Sequence, residues 1–363
     1  MLTSNKLNIF NMDLRDLENF FISMGERSFR AAQIMKWIYH KHVIDFDTMS
    51  NISKLLREKL AKCSELRLPE VVSELVSKDG CHKWLIRIDN SNCIETVFIP
   101  EIDRGTLCIS SQIGCPVDCS FCATAHQGFN RNLTTAEIIG QVWLATNSLG
   151  GYTHGGNRII TNIVLMGMGE PLLNFCNVVK SIALIQDDLG FGISKRRVTL
   201  STAGVVPALY RLRDISEVSL AVSLHAPYDK LRDELVPLNR KYPISELLKA
   251  CNYYIAGKPY RRITWEYVLL DGINDSVQHA TALAALLKYI PSKINLIPFN
   301  PFPEARYRRS SPETMTRFRD VLMKHGLTAI TRRTRGDDIA AACGQLAGEV
   351  QARGRGRRTS QVF

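Results

Sequence analysis

Between residues 106 and 297 the chain alternates, six times over, between a short β-rich run and a longer helical one. The β-rich runs fall at residues 106–111, 159–165, 197–200, 218–222, 263–269 and 293–297. Strands that all point the same way need a crossover to carry the chain back, and a helix is the usual crossover. The alternation therefore predicts an α/β fold whose parallel sheet curls towards a barrel. Six units, rather than eight, give a partial (β/α)6 barrel with room for a large substrate. Active sites in such folds gather at the C-terminal ends of the strands. The polar motifs of this chain fall at those ends.

The first strand delivers Cys115-Pro116-Val117-Asp118-Cys119-Ser120-Phe121-Cys122. Its C-x3-C-x2-C spacing lets one tight loop aim three sulfurs at one metal centre. A structural zinc or an electron-carrying cluster usually takes four protein ligands. Three cysteines hold a cubane cluster with one iron open to a small chelating molecule. Two plainer readings stand beside this one. Buried cysteines can simply fill a core, and His126 with the three thiols could form a Cys3His zinc site. Phe121, directly before the third cysteine, completes a pattern that resembles the radical S-adenosylmethionine (SAM) superfamily. The resemblance implies a 4Fe-4S cluster on Cys115, Cys119 and Cys122, with SAM chelating the open iron.

The later strand ends offer contacts suited to SAM. Gly167-Met168-Gly169-Glu170 combines glycines for close backbone approach with a carboxylate for an ammonium group. Gly169 and Glu170 are the expected contacts there. Ser201, and the Ser223-Leu224-His225 stretch, suit ribose and carboxylate groups. Asn300, after the sixth strand, could reach the adenine. Each alone is as readily an ordinary turn residue.

The rest of the 363 residues is read as follows. Residues 1–70 form a small N-terminal helical accessory domain, with helices after Asp13, over 29–40 and over 52–60. It is either a substrate-docking module or a structural cap. Residues 71–100 form a β-hairpin, 101–350 the core, and 351–363 a basic, disordered tail. Lys plus Arg total 46 against 35 Asp plus Glu, a net charge of +11, which suggests a polyanionic partner such as nucleic acid. Basic knots occur at Lys195-Arg196-Arg197, Arg261-Arg262, Arg306 with Arg308-Arg309, Arg332-Arg333 with Arg335, and in the Gly/Arg run from Arg353 to Arg358. Ten cysteines without a secretory leader indicate a reducing cytoplasm. No apolar run reaches the ~18 residues of a membrane span.

Three residues stand outside these motifs. Cys108 lies in the first strand, Cys343 near the C-terminus, and Glu95 in an otherwise apolar strand; buried thiols and an outward-facing carboxylate are the plain readings. Longer stretches give them roles. Ser111 to Cys115, Arg131-Asn132-Leu133, Gly167 to Pro171, Ser223 to Ala226, Trp265-Glu266-Tyr267 with Asp271-Gly272, Asn295 to Pro301 and Arg335 to Leu346 together resemble the RlmN/Cfr family of radical SAM RNA adenine methyltransferases. The resemblance implies two SAM per turnover. One methylates Cys343; the other, cleaved on the cluster, yields a radical that takes hydrogen from that methyl group. The carbon adds to C2 of adenine, Glu95 removes the C2 proton, and Cys108 attacks the Cys343 sulfur to free the product. It further implies 23S rRNA and the adenine 3′ of a tRNA anticodon as substrates, an external one-electron reductant, and a monomer. Methylation at C8 is the alternative within the family, and Pro171 after Gly-Met-Gly-Glu points to C2.

Overall fold

The computed structural model describes residues 6–151, 158–258 and 260–352. One ten-stranded sheet runs through it, and its strands lie side by side in sequence order. They are β1 (Glu70–Val76), β2 (His82–Asp89), β3 (Asn92–Glu101), β4 (Arg104–Cys108), β5 (Asn162–Leu165), β6 (Val198–Thr202), β7 (Ser219–Ser223), β8 (Ile263–Leu269), β9 (Ser292–Pro298) and β10 (Thr328–Thr331). The first four form an antiparallel meander. From β4 onward every pairing is parallel. β1 and β10 are the two sheet edges, so the barrel stays open.

Helices cover the parallel part, as crossovers require. They are α4 (Thr135–Ser148), α5 (Phe175–Gln186), α6 (Val206–Ile215), α7 (Ile244–Ile255), α8 (Val277–Leu287) and α9 (Pro312–Lys324), one after each of β4 to β9. Covered on both faces, β8 is buried at six of its seven positions. Six β–α units are present, as the alternation predicts. A seventh parallel strand, β10, closes the last unit; the sequence reading stops at the sixth. The expected hairpin at 71–100 is part of a longer meander that extends the barrel sheet directly.

Before the sheet come α1 (Leu14–Ser23), α2 (Arg30–Met35), which widens into a π-turn over Lys36–His40, and α3 (Lys54–Cys63). Asp13 caps α1 by accepting from the Asp16 amide at 2.9 Å, and Ser53 caps α3. Their apolar faces join the core under α4 and α5. The Trp143 indole donates to the Ile38 carbonyl at 3.0 Å. Asn11 accepts from the Ala136 amide at 2.8 Å, satisfying an orphan donor in the first turn of α4. The Gly/Arg run from Arg353 lies outside the described residues.

Candidate active site

The loop after β4 is built on local hydrogen bonding. Cys115 donates its amide to Gly128 at 2.9 Å, and Cys122 donates to Cys119 at 3.2 Å. Asp118, between the first two cysteines, takes φ +59°, a left-handed turn asparagine and aspartate tolerate. Residues Gln112–Gly114 pair with Phe129–Asn132 and brace the loop on both sides. Gln141 on α4 is buried and saturated: it accepts from the Ser110 amide and the Thr96 hydroxyl, and donates to the Ser110 and Glu137 carbonyls. It fixes the turn between Cys108 and the cysteine loop.

Cys115, Cys119 and Cys122 line one open cavity of about 970 Å³. Gly167, Gly169, Glu170, Ser201, Ser223, His225, Glu266, Asn300, Arg332 and Cys343 line it too. Burial pushes all three loop thiols up in pKa. Such uncompensated thiols are what a bound metal would turn into ligands. Among the described residues no three His, Cys, Asp or Glu side chains gather closely enough to hold a single ion. Three thiols on one short loop, all lining the cavity, fit a cluster bound through three cysteines. His126 does not join them; it stacks edge-on to Phe302 and faces Glu304.

The walls are fixed by buried hydrogen bonds. Glu170 accepts from Leu172 and Ala203 amides and from the Thr202 hydroxyl, at 3.0, 2.6 and 2.7 Å. Burial still raises its pKa, because the donors only partly offset desolvation. Gly169 has φ +98°, and a Cβ there would strike the Gln112 side chain at 2.5 Å. His225, at φ +60°, accepts from the Val268 amide through Nδ1 at 3.0 Å, so Nε2 carries the proton. Burial, then Arg232, lowers its pKa to about 3 and keeps it neutral. Arg232 is 1% exposed and donates to Leu224, Ala203 and Ser223 carbonyls and to Asn239. It ties the ends of β6 and β7 together under the cavity.

Cys343 sits close enough to Cys108 and Cys122 for its charge to raise both their pKa values. Burial pushes Cys108 to about 12, with Arg332 opposing. Arg332 in turn has its pKa raised, first by Cys343 and also by Glu266 and Cys108. Glu266 accepts from Asn295 with one oxygen, while its Oε2 has no hydrogen-bond partner among the described residues.

The expected residues divide accordingly. The three cluster cysteines, Gly169, Glu170, Ser201, Ser223, His225, Asn300 and Cys343 share the cavity. Cys108, Glu95 and Leu224 lie behind its lining: Cys108 against Cys343, Leu224 fully buried, and Glu95 paired with Lys83 at 2.9 Å. Asn300 is committed to the protein, donating to the Cys343 carbonyl at 3.1 Å and accepting from Arg309 and Thr334. The basic knots also divide. Lys195–Arg197 and Arg261 with Arg262 precede β6 and β8, at the strand ends opposite the cavity, and Lys195 and Arg261 pair with Glu217. The Arg306–Arg309 and Arg332–Arg335 groups follow β9 and β10 on the cavity side. Gln141 and Arg232 carry the site without being singled out by the sequence, while Arg332 is read there only as part of a basic knot and Glu266 only within a matching stretch.

Known proteins share this arrangement. Residues 7–66 match the family described as the ribosomal RNA large subunit methyltransferase N-terminal domain, and residues 109–284 match the radical SAM superfamily. A dual-specificity RNA methyltransferase RlmN from Alkalilimnicola ehrlichii is 58% identical over 349 residues, 96% of each chain. The crystal structure of a radical SAM methyltransferase from Sphaerobacter thermophilus superposes with a TM-score of 0.87 at 43% identity, covering 94% of this chain and 99% of that one. With its three-cysteine loop, its open barrel and this identity along nearly its whole length, the chain belongs to the RlmN family of radical SAM RNA methyltransferases.

Proposed function

We propose that the protein methylates C2 of one adenine in 23S rRNA and of the adenine 3′ of a tRNA anticodon, through a methylated Cys343. The observation that carries this reading is the shared cavity: Cys343 lines it together with the three-cysteine loop, close to both Cys122 and Cys108. Cys115, Cys119 and Cys122 would hold the 4Fe-4S cluster, and Gly169, Glu170, Ser201, Ser223 and His225 the SAM. When bound, these groups supply a carbon radical that can take hydrogen from an unactivated methyl group.

The chain's own residues do the rest. Adenine C2 is electron-poor and will not displace a methyl group from a sulfonium, whereas a thiolate will. Cys343 carries the one-carbon unit for that reason, and the Arg332 guanidinium lines the same cavity. Glu95 takes the C2 proton once the carbon is joined to the base. Cys108 then attacks the Cys343 sulfur: an S–S bond forms, the S–C bond breaks with its electron pair going to the carbon, and the proton given up by Cys108 turns that methylene into the methyl group left on the RNA. Burial keeps Cys108 a thiol at neutral pH, so it stays quiet until that step.

Exposed Arg306, Arg308 and Arg333 beside the cavity suit RNA phosphates. The reading also takes residues 1–70 as the accessory module, 71–100 as the linking meander, 101–350 as the catalytic core and 351–363 as a basic tail. It assigns a monomer in the cytoplasm fed by an external one-electron reductant. No helix among the described residues is long and apolar enough to cross a membrane.

Anaerobic reconstitution with rRNA and tRNA fragments, then nucleoside separation, tests the reading. It expects 2-methyladenosine from both RNAs; 8-methyladenosine would move the site of methylation. Cys343→Ala should lower turnover more than ~10³-fold while SAM cleavage persists. Cys108→Ala should accumulate a covalent protein–RNA adduct on denaturing gels, and its absence would remove Cys108 from the scheme.

A further inference from the structure

One buried ion pair spans the root of the loop that carries Cys343. Lys83 on β2 stands opposite Val97 on β3, two residues from Glu95 on the same face. Long side chains bridge that diagonal. Lys83 Nζ and Glu95 Oε1 are 2.9 Å apart, and the two side chains are only 11% and 10% exposed. At that burial water screens the pair far less than it screens a surface bridge.

Each partner also grips one flank of the loop. Lys83 Nζ donates to the Ala340 carbonyl at 3.3 Å. Glu95 Oε2 accepts from the Ala347 amide at 2.9 Å. Cys343 lies between these two anchors. Ala340 is held at φ +49°, a left-handed conformation alanine keeps only where its surroundings impose it. Gly336 before the segment and Gly344 within it, also at positive φ, serve as bending points.

We propose that Lys83 is a positioning residue for the methylation: with Glu95 it clasps both flanks of the Cys343 loop and holds the thiol in the cavity. The timing rests on the reading of Glu95 as the base. Taking the C2 proton neutralises Glu95 and ends its attraction for Lys83. The loop loosens at the step where Cys108 must reach the Cys343 sulfur.

Hydrogen–deuterium exchange on the full-length protein, with iodoacetamide labelling of Cys343 alongside, tests the clasp without any turnover. Lys83→Met should speed exchange across 340–347 by about tenfold and speed Cys343 labelling with it, while the parallel strands keep their protection. Lys83→Arg should restore both to within about twofold of the native chain. Glu95→Gln, which keeps the shape and removes the charge, should loosen the Ala340 flank, and it decides the matter alone if Lys83→Met does not fold. Unchanged exchange and labelling in the folded variants overturn the clasp. A Glu95→Gln protein that stalls as an RNA adduct with its loop still protected sinks the clasp and keeps the base; a loosened loop with no adduct does the reverse.

Discussion

His225 shows how one residue can be both wall and liability. Its ring is buried, its Nδ1 is spent on the Val268 amide, and its edge meets Phe121 at a centroid distance of 4.7 Å. The native pKa is about 3, while the unfolded chain binds the proton near 6.5. Below that value the unfolded state holds more protons than the native one. Stability is therefore complete above about pH 6.5 and falls towards pH 3, with a limiting slope near 1.4 kcal/mol per pH unit for this single site. Urea titrations at stepped pH should show that loss, and His225→Gln, which can still accept from Val268, should flatten it; an equal slope in both proteins would contradict the assignment. The residues of this wall were unevenly legible in the sequence. Cys115, Cys119 and Cys122 announce themselves by spacing, because a short loop fixes their geometry covalently. Arg232 and Gln141 do not. Arginine and glutamine are ordinarily solvated, and only the assembled fold shows their partners at Leu224, Ala203 and Ser110.

At the scale of elements, periodicity located what it could. The capping box of α4, Thr134 with Glu137, is written in four consecutive residues and is present in full. The seventh parallel strand was missed because β10 is short and half-polar at a sheet edge, where one face has no apolar pattern to repeat. The C-terminal segment that follows was harder still. It has little regular structure and is held by single contacts: Cys93 bridges Glu349, and Leu346 accepts from Thr124 at 2.6 Å. Gly348 makes this path possible. Its φ is +60°, and a Cβ would fall onto the Cys93 carbonyl and within 3.2 Å of Met168. Gly348→Ala should cost roughly 2 kcal/mol or more, from left-handed strain and overpacking together. A denaturant midpoint unmoved by the substitution would mean the segment does not ride on β3 as described.

For the whole molecule, the question is whether the N-terminal helices and the barrel are one cooperative body. Their apolar residues form a continuous cluster: Ile38 and Tyr39 pack on the α4 side, and Tyr39 meets Phe191 edge-on at 5.1 Å between centroids. Polar contacts cross the same seam, from Asn11 to Ala136, from Lys180 to Asp16 and from Trp143 to Ile38. A seam this apolar should not open before either side melts, because opening it would expose core to water on both faces. Trp143→Phe isolates one strand of the coupling. The smaller phenyl ring leaves a gap in the core and the Ile38 carbonyl loses its donor in a buried position, at a combined cost of at least about 1–3 kcal/mol. If the two parts are one body, urea unfolding followed by hydrogen exchange in α1–α3 and by far-ultraviolet dichroism should give coincident curves in the native chain. Both should shift together in the variant, with the slope m unchanged. A variant in which the α1–α3 exchange signal moves first would mean the helical module docks on a barrel already stable without it.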